Sequence, residues 1–227
     1  MNPENHRPVS GEGARAGKER PGVFEREARR YDAWFDRPRG AAIFASELLC
    51  LQRLTEDLPR PWLEVGVGSG RFGEALGVNL GVDPARAPLR HAVRRGVRAL
   101  RADGRALPFA QDSFGAAFVI VTLCFASDPH GLLREAARVT RGDGGVVLGI
   151  VPAQSPWGRL YAAKGAAGNA FYSHARLYSV GELEAMVRDS GMLPERWSCT
   201  LFDPPAESGR GVEPPRAGRH ALAGFAA

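Results

Sequence analysis

Glu64, Gly66, Gly68 and Gly70 stand in the run Leu63-Glu64-Val65-Gly66-Val67-Gly68-Ser69-Gly70, where a short apolar stretch gives way to small residues. Missing Cβ atoms at alternate positions let the chain turn tightly and let a ligand rest on bare main chain. Thirteen residues after Gly70, a second apolar run, Leu80-Gly81-Val82, ends in Asp83 and then Pro84. A carboxylate at a strand end, in a cleft partly closed to water, is suited to a bidentate grip on a ribose diol. A third run ends in Asp103-Gly104. Acids at successive strand ends around a glycine turn suit a nucleoside-containing cofactor lying across the carboxyl ends of adjacent strands.

Gly68-Ser69-Gly70-Arg71-Phe72-Gly73 also satisfies the dinucleotide pattern G-x-G-x-x-G. An NAD-linked oxidoreductase and a ligand-free structural turn are therefore alternatives. A pyrophosphate wants open helix amides with no carboxylate beside them, because like charges repel. Glu64 speaks against NAD on that ground.

The elements that position these residues follow from periodicity. Phe24–Phe35 and Ala41–Leu54 carry apolar residues at helical spacing, with Pro38 interrupting between them. From Trp62 onward, strands expected at 62–66, 79–83, 97–102, 115–122 and 144–151 alternate with helices near 70–76, 85–95 and 129–140, which predicts a mainly parallel sheet. The segment 156–178, rich in Gly, Ala and aromatics, reads as loose. Ser179 with Glu182 forms a capping box for a helix over 180–190, and a strand near 193–202 follows. Asp203 to Gly218 is loop-like, while His220–Ala226 is apolar enough for a last strand or a frayed tail. Residues 1–21, polar and without hydrophobic period, read as a disordered tail ahead of a single domain over 22–227.

Composition bounds the rest. The chain has 227 residues, 44% of them hydrophobic, enough for one full core. Its net charge of +5 comes mostly from arginines spread along the chain, with no run of five like charges, which argues against nucleic acid as a partner. Cys50, Cys124 and Cys199 are odd in number and far apart, giving neither a disulfide framework nor metal-ligand spacing. No apolar leader or membrane-length stretch is evident, so a soluble, cytoplasmic protein is expected.

Taken together, Glu64–Gly70, Gly81-Val82-Asp83, Asp103 with Leu107-Pro108-Phe109, and Asp112-Ser113-Phe114 before a buried strand resemble the class I S-adenosylmethionine-dependent methyltransferases of the type 11 group. Leu132–Val139 followed by Gly142-Asp143-Gly144-Gly145 is similar to that group's helix and turn before its fifth strand. A narrower likeness, through Tyr31–Phe35, Val121–Phe125, and Asn169–Tyr172, is to a subgroup some of whose members are labelled histamine N-methyltransferase-related. Fold-level kinship fixes the cofactor far better than the acceptor. Phe114 is followed by Gly115 where the group usually has Asp, a departure that costs a local hydrogen bond.

The resemblance implies a Rossmann-like, seven-stranded, mostly parallel α/β sheet with helices on both faces, capped by N-terminal helices (22–58). The cofactor core would span 62–151, a substrate lid 153–178, and a helix with a C-terminal hairpin 179–227. It implies S-adenosylmethionine as cofactor, with S-adenosylhomocysteine as product. Glu64 would face its ammonium, often through water; Gly66, Gly68 and Gly70 its amino-acid part; Asp83 its ribose; Asp103 and Gly104 its adenine. Pro84, Leu107 and Leu123 would line the cleft or simply belong to the core. Thr122 would lie beneath the methyl group, and Tyr31 and Trp34 would fold over the cofactor or merely form a helix face. The expected reaction is methyl transfer to N, O or S of a small molecule, with no metal. A non-catalytic cofactor-binding protein and an RNA methyltransferase are the remaining alternatives. Asp128, His130, Tyr161, Tyr172 and His174 are candidate general bases by position, and Cys124, beside the expected methyl, is expected to be inert.

Overall fold

The computed structural model describes residues 22–227, and the tail expected over 1–21 lies outside the described residues. Two helices come first, α1 (Val23–Trp34) and α2 (Pro38–Gln52). Pro38 does not separate them as a breaker. It opens α2, where its missing N–H leaves no helical hydrogen bond unmade.

Strands and helices then alternate. β1 (Trp62–Val65), α3 (Arg71–Leu76), β2 (Leu80–Asp83), α4 (Arg86–Arg94) and β3 (Ala99–Arg101) build one half. β4 (Phe114–Ile120), α5 (Pro129–Val139) and β5 (Thr140–Gly149) build the other. The five strands form one parallel sheet in the order β3-β2-β1-β4-β5. Every residue of β4 is buried, as its continuous apolar run requires of a strand covered on both faces. One core face packs Ile43, Leu51, Leu89 and Phe118; the other packs Leu63, Leu133, Val139 and Leu183.

Among the described residues, the expected seven-stranded sheet is not formed. β6 (Ser198–Thr200), β7 (Arg216–Ala217) and β8 (Phe225–Ala226) make a separate antiparallel sheet, ordered β7-β6-β8. One bridge, Ile150 to Ala226, joins it to the end of β5. Pro204, Pro205, Pro214 and Pro215 between β6 and β7 supply no N–H to a ladder, so these strands stay two or three residues long. The last strand does form, as a two-residue piece.

The segment read as loose contains a helix, α6 (Pro156–Ala166), with the Ser155 hydroxyl accepting from the Gly158 amide at 2.9 Å. A 3-10 turn over Tyr172–His174 packs against it. The capping box of Ser179 and Glu182 is present at the start of α7 (Val180–Asp189). Gly115 has a steric cause: a Cβ there would lie 1.9 Å from the Pro59 carbonyl oxygen, so an Asp has no room. Among the described residues, no helix is long and apolar enough to cross a membrane.

Candidate active site

The turn after β1 is built as its glycines require. Gly66, Gly68 and Gly70 all adopt positive φ, at 80°, 53° and 81°. Cβ atoms at Gly66 and Gly70 would strike Thr122 and Ala92, at 2.3 and 2.8 Å, whereas one at Gly68 would meet only the Gly66 carbonyl oxygen, at 3.9 Å. The turn is therefore packed from below and open at Gly68. Asp83 closes the second strand beside it, its carboxylate accepting from the Gly68 amide at 3.0 Å and the Ala85 amide at 2.8 Å. Burial pushes the Asp83 pKa up, while these two amides pull it down.

Glu64 is 2% exposed, and its Oε2 has no hydrogen-bond partner among the described residues. It sits under the first turn of α3, so close to Gly73 that a Cβ there would lie 2.9 Å from Oε2. Burial, then the charge of Asp83, drives its pKa well above the ordinary range, against one amide contact from Gly73. A buried acid with one unpartnered oxygen beneath a glycine turn has the charge to suit a cation held nearby.

Strand register brings the tips level: Glu64 pairs with Gly81, and Asp83 with Arg101. Asp103 follows two residues later, 46% exposed at its side chain and paired with Arg105 at 2.6 Å. It also accepts from the Arg105 amide at 2.9 Å, which makes it the cap of its own turn. Gly104 is shaped by packing, since a Cβ would come within 2.7 Å of Val65 Cγ1. Leu107 and Leu123 are core residues, 5% and 1% exposed.

At the end of β4, the Thr122 hydroxyl donates to the Ile120 carbonyl at 3.0 Å and lies 3.4 Å from that of Gly66. Val121 has φ of 49°, a left-handed conformation that a β-branched side chain adopts only under constraint. Val121, Leu123 and Cys124 form one wall of a cavity of about 290 Å³. Tyr31 and Trp34 of α1, together with Tyr161, Phe171 and Tyr172, line it as well. Tyr161 and Tyr172 stack at 4.3 Å, and Tyr31 meets Phe171 at 5.4 Å.

Of the candidate bases, Tyr161 and Tyr172 reach this cavity, and His130 and His174 are not in its wall. Asp128 is the N-cap of α5, accepting from the Gly131 amide at 2.8 Å. Cys124 faces the cavity, and burial pushes its thiol up to about 12. Sequence reasoning misses Glu47 of α2, an acid in the cavity wall that is 8% exposed. It also misses Asp32, which accepts from Arg71 and Arg95 at 2.8 Å each and so ties α1 to α3 and α4.

A glycine turn at the tip of β1 in a β3-β2-β1-β4-β5 sheet is the architecture of the class I methyltransferases. The chain belongs to the S-adenosylmethionine-dependent methyltransferase family: a family model described as "Methyltransferase domain" matches residues 63–148. A solved Thermotoga maritima S-adenosylmethionine-dependent methyltransferase, described as a possible histamine N-methyltransferase, is 34% identical with a TM-score of 0.82, over 90% of this chain and 95% of that one. An uncharacterised Mycobacterium tuberculosis protein is 44% identical over 89% of this chain and 71% of its own length. Another, from Methanocaldococcus jannaschii, is 32% identical over 79% and 85%.

Proposed function

We propose that the protein transfers the methyl group of S-adenosylmethionine to a nitrogen, oxygen or sulfur of a small molecule held in the aromatic cavity. One observation carries this reading. The segment after β4 is shared by two places: Thr122 meets Gly66 of the glycine turn, while Val121, Leu123 and Cys124 wall the cavity. A ligand on the turn and a molecule in the cavity would therefore meet at residues 121–124.

Asp83 is suited to the ribose hydroxyls, each of its oxygens keeping a lone pair beyond its amide bond. The open side of Gly68 offers main chain to the amino-acid portion. Glu64, buried with an unpartnered Oε2, would balance the ammonium, and Asp103-Gly104 with Pro84 would border the adenine. Binding adenine at the Asp103 carboxylate requires it to share its Arg105 pair. When bound, S-adenosylmethionine supplies an electrophilic methyl; this chain orients the acceptor and excludes water, and such positioning accounts for much of the rate.

Calorimetry with S-adenosylhomocysteine tests the reading. Binding is expected for the wild type, weakened at least about tenfold by Asp83→Ala, which removes a charge-assisted diol contact. No heat at millimolar ligand would end the proposal.

A further inference from the structure

The cavity holds an ionisable group, Glu47, that nothing in the fold requires. Glu47 is 8% exposed, lines the cavity from α2, and has no hydrogen bond or ion pair among the described residues. A buried carboxylate without a partner is costly, and a fold that keeps one leaves room for a ligand to supply the partner. The same cavity is lined by aromatic side chains: Tyr31, Trp34, Phe171, and the stacked pair Tyr161 and Tyr172. The face of an aromatic ring carries negative potential and attracts cations. Two of these rings already do so, since the exposed Lys164 ammonium lies 5.5 Å from the Tyr161 ring centre and 6.0 Å from that of Tyr172.

We infer that the cavity binds a small protonatable amine, its nitrogen against the Glu47 carboxylate and its carbon skeleton among the aromatic rings. This deepens the methyltransferase reading and rests on it only for what happens to the amine afterwards. A protonated nitrogen has no lone pair to offer an electrophile. With Glu47 beside it, the N–H bonding pair stays on nitrogen while the proton passes to the carboxylate.

The same cavity has Arg30, Arg37 and Lys164 in its wall, all three exposed. They would favour a carboxylate ligand if the interior acid were irrelevant, so the sign of the ligand's charge is the deciding readout. Tyr31, Tyr161 and Tyr172 all sense the charge of Glu47 from facing elements, as does Cys50 from its own helix. Burial pushes the Glu47 pKa up to about 8, so near pH 7 the empty cavity holds mostly the neutral acid. Binding a protonated amine ionises it, and about one proton per amine leaves to the buffer.

Calorimetry on the full chain, with and without S-adenosylhomocysteine, decides between these signs. The probes are 2-phenylethylamine, 2-phenylethanol and 3-phenylpropionate, which share a skeleton and differ in charge. The amine is expected to bind at least about tenfold tighter than either of the others. Glu47→Gln should erase that preference and leave the affinity for S-adenosylhomocysteine unchanged. Heats in two buffers of different ionisation enthalpy should show proton release in the wild type, a readout that stands even if the variant does not fold. The inference is overturned if the alcohol or the acid binds as tightly, if none binds, if Glu47→Gln keeps the preference, or if no proton is released. Loss of S-adenosylhomocysteine binding alone would sink the methyltransferase reading and leave the amine site standing.

Discussion

Gly66 and Gly68 share a backbone handedness but differ in what surrounds them, and that difference separates folding from binding. At Gly66, φ of 80° and a Cβ 2.3 Å from the Thr122 hydroxyl act together, and the β-branched Thr122 has little freedom to yield. Gly66→Ala should cost roughly 2–5 kcal/mol, combining left-handed strain with overpacking. Gly68→Ala meets open space, so only the strain of about 1–2 kcal/mol applies. Its new methyl projects where the main chain would touch a ligand, so it should weaken S-adenosylhomocysteine more than its small loss of stability suggests. Urea unfolding and calorimetry on the two variants check this, and equal behaviour in both assays would refute it. The turn, Glu64 and Asp83 are legible in the sequence because the chemistry of a tight turn is local. Glu47 is not, since an acid in a helical run looks the same whether it faces water or a cavity.

At the scale of elements, the placement of α1 depends on one buried acid. Asp32 accepts from Arg71 of α3 and from Arg95 just after α4, Arg71 reaches Asp36 as well, and His91 lies 3.7 Å from Asp32. Burial pushes the Asp32 pKa up, but the bonds from Arg95 and Arg71 outweigh it and hold the group below its ordinary 3.8. A lowered pKa stabilises the fold above the unfolded value and loses that contribution as pH falls through the folded one. Asp32→Asn should therefore destabilise by about 2 kcal/mol at pH 7, below the roughly 3–5 kcal/mol of a fully buried broken pair, because both arginines keep some exposure. The deficit should shrink toward pH 3. Faster proteolysis near Pro38 would accompany it, because α1 would lose the Asp32 bonds to Arg71 and Arg95 that tie it down. Helices with strong periodicity, such as α2 and α5, are legible in the sequence. α6 is not, because Gly158, Gly165 and its alanines blur the apolar face. Nor is the split of the sheet, which turns on which edge β6 and β8 choose; no local pattern encodes that.

For the whole molecule, the binding region concentrates buried acids, and the pH dependence of stability should carry their signature. Glu47 rises from its ordinary 4.5 to about 8 through burial; Glu64 and Asp83 are raised as well, burial being the largest cause for each. An acid whose folded pKa is raised holds a proton in the native chain that the unfolded chain has released. Its favourable contribution is complete below the unfolded pKa and disappears as pH climbs through the folded one. Each such group can remove up to about 1.4 kcal/mol per pH unit across its window. The groups facing Glu47 do not mask this: burial raises the hydroxyls of Tyr31, Tyr161 and Tyr172, and pushes the thiols of Cys50 and Cys124 up to about 12. Arg30, Arg37 and Lys164 lie out at the mouth, exposed. The ligand-free protein should thus melt at a clearly lower temperature at pH 8.5 than at pH 5.5. Glu47→Gln should fall less over the same interval, because the acid raised to about 8 no longer titrates within it. Calorimetric melting of both proteins at the two pH values measures the difference, and parallel losses would mean that Glu47 is ionised and solvated in the folded chain.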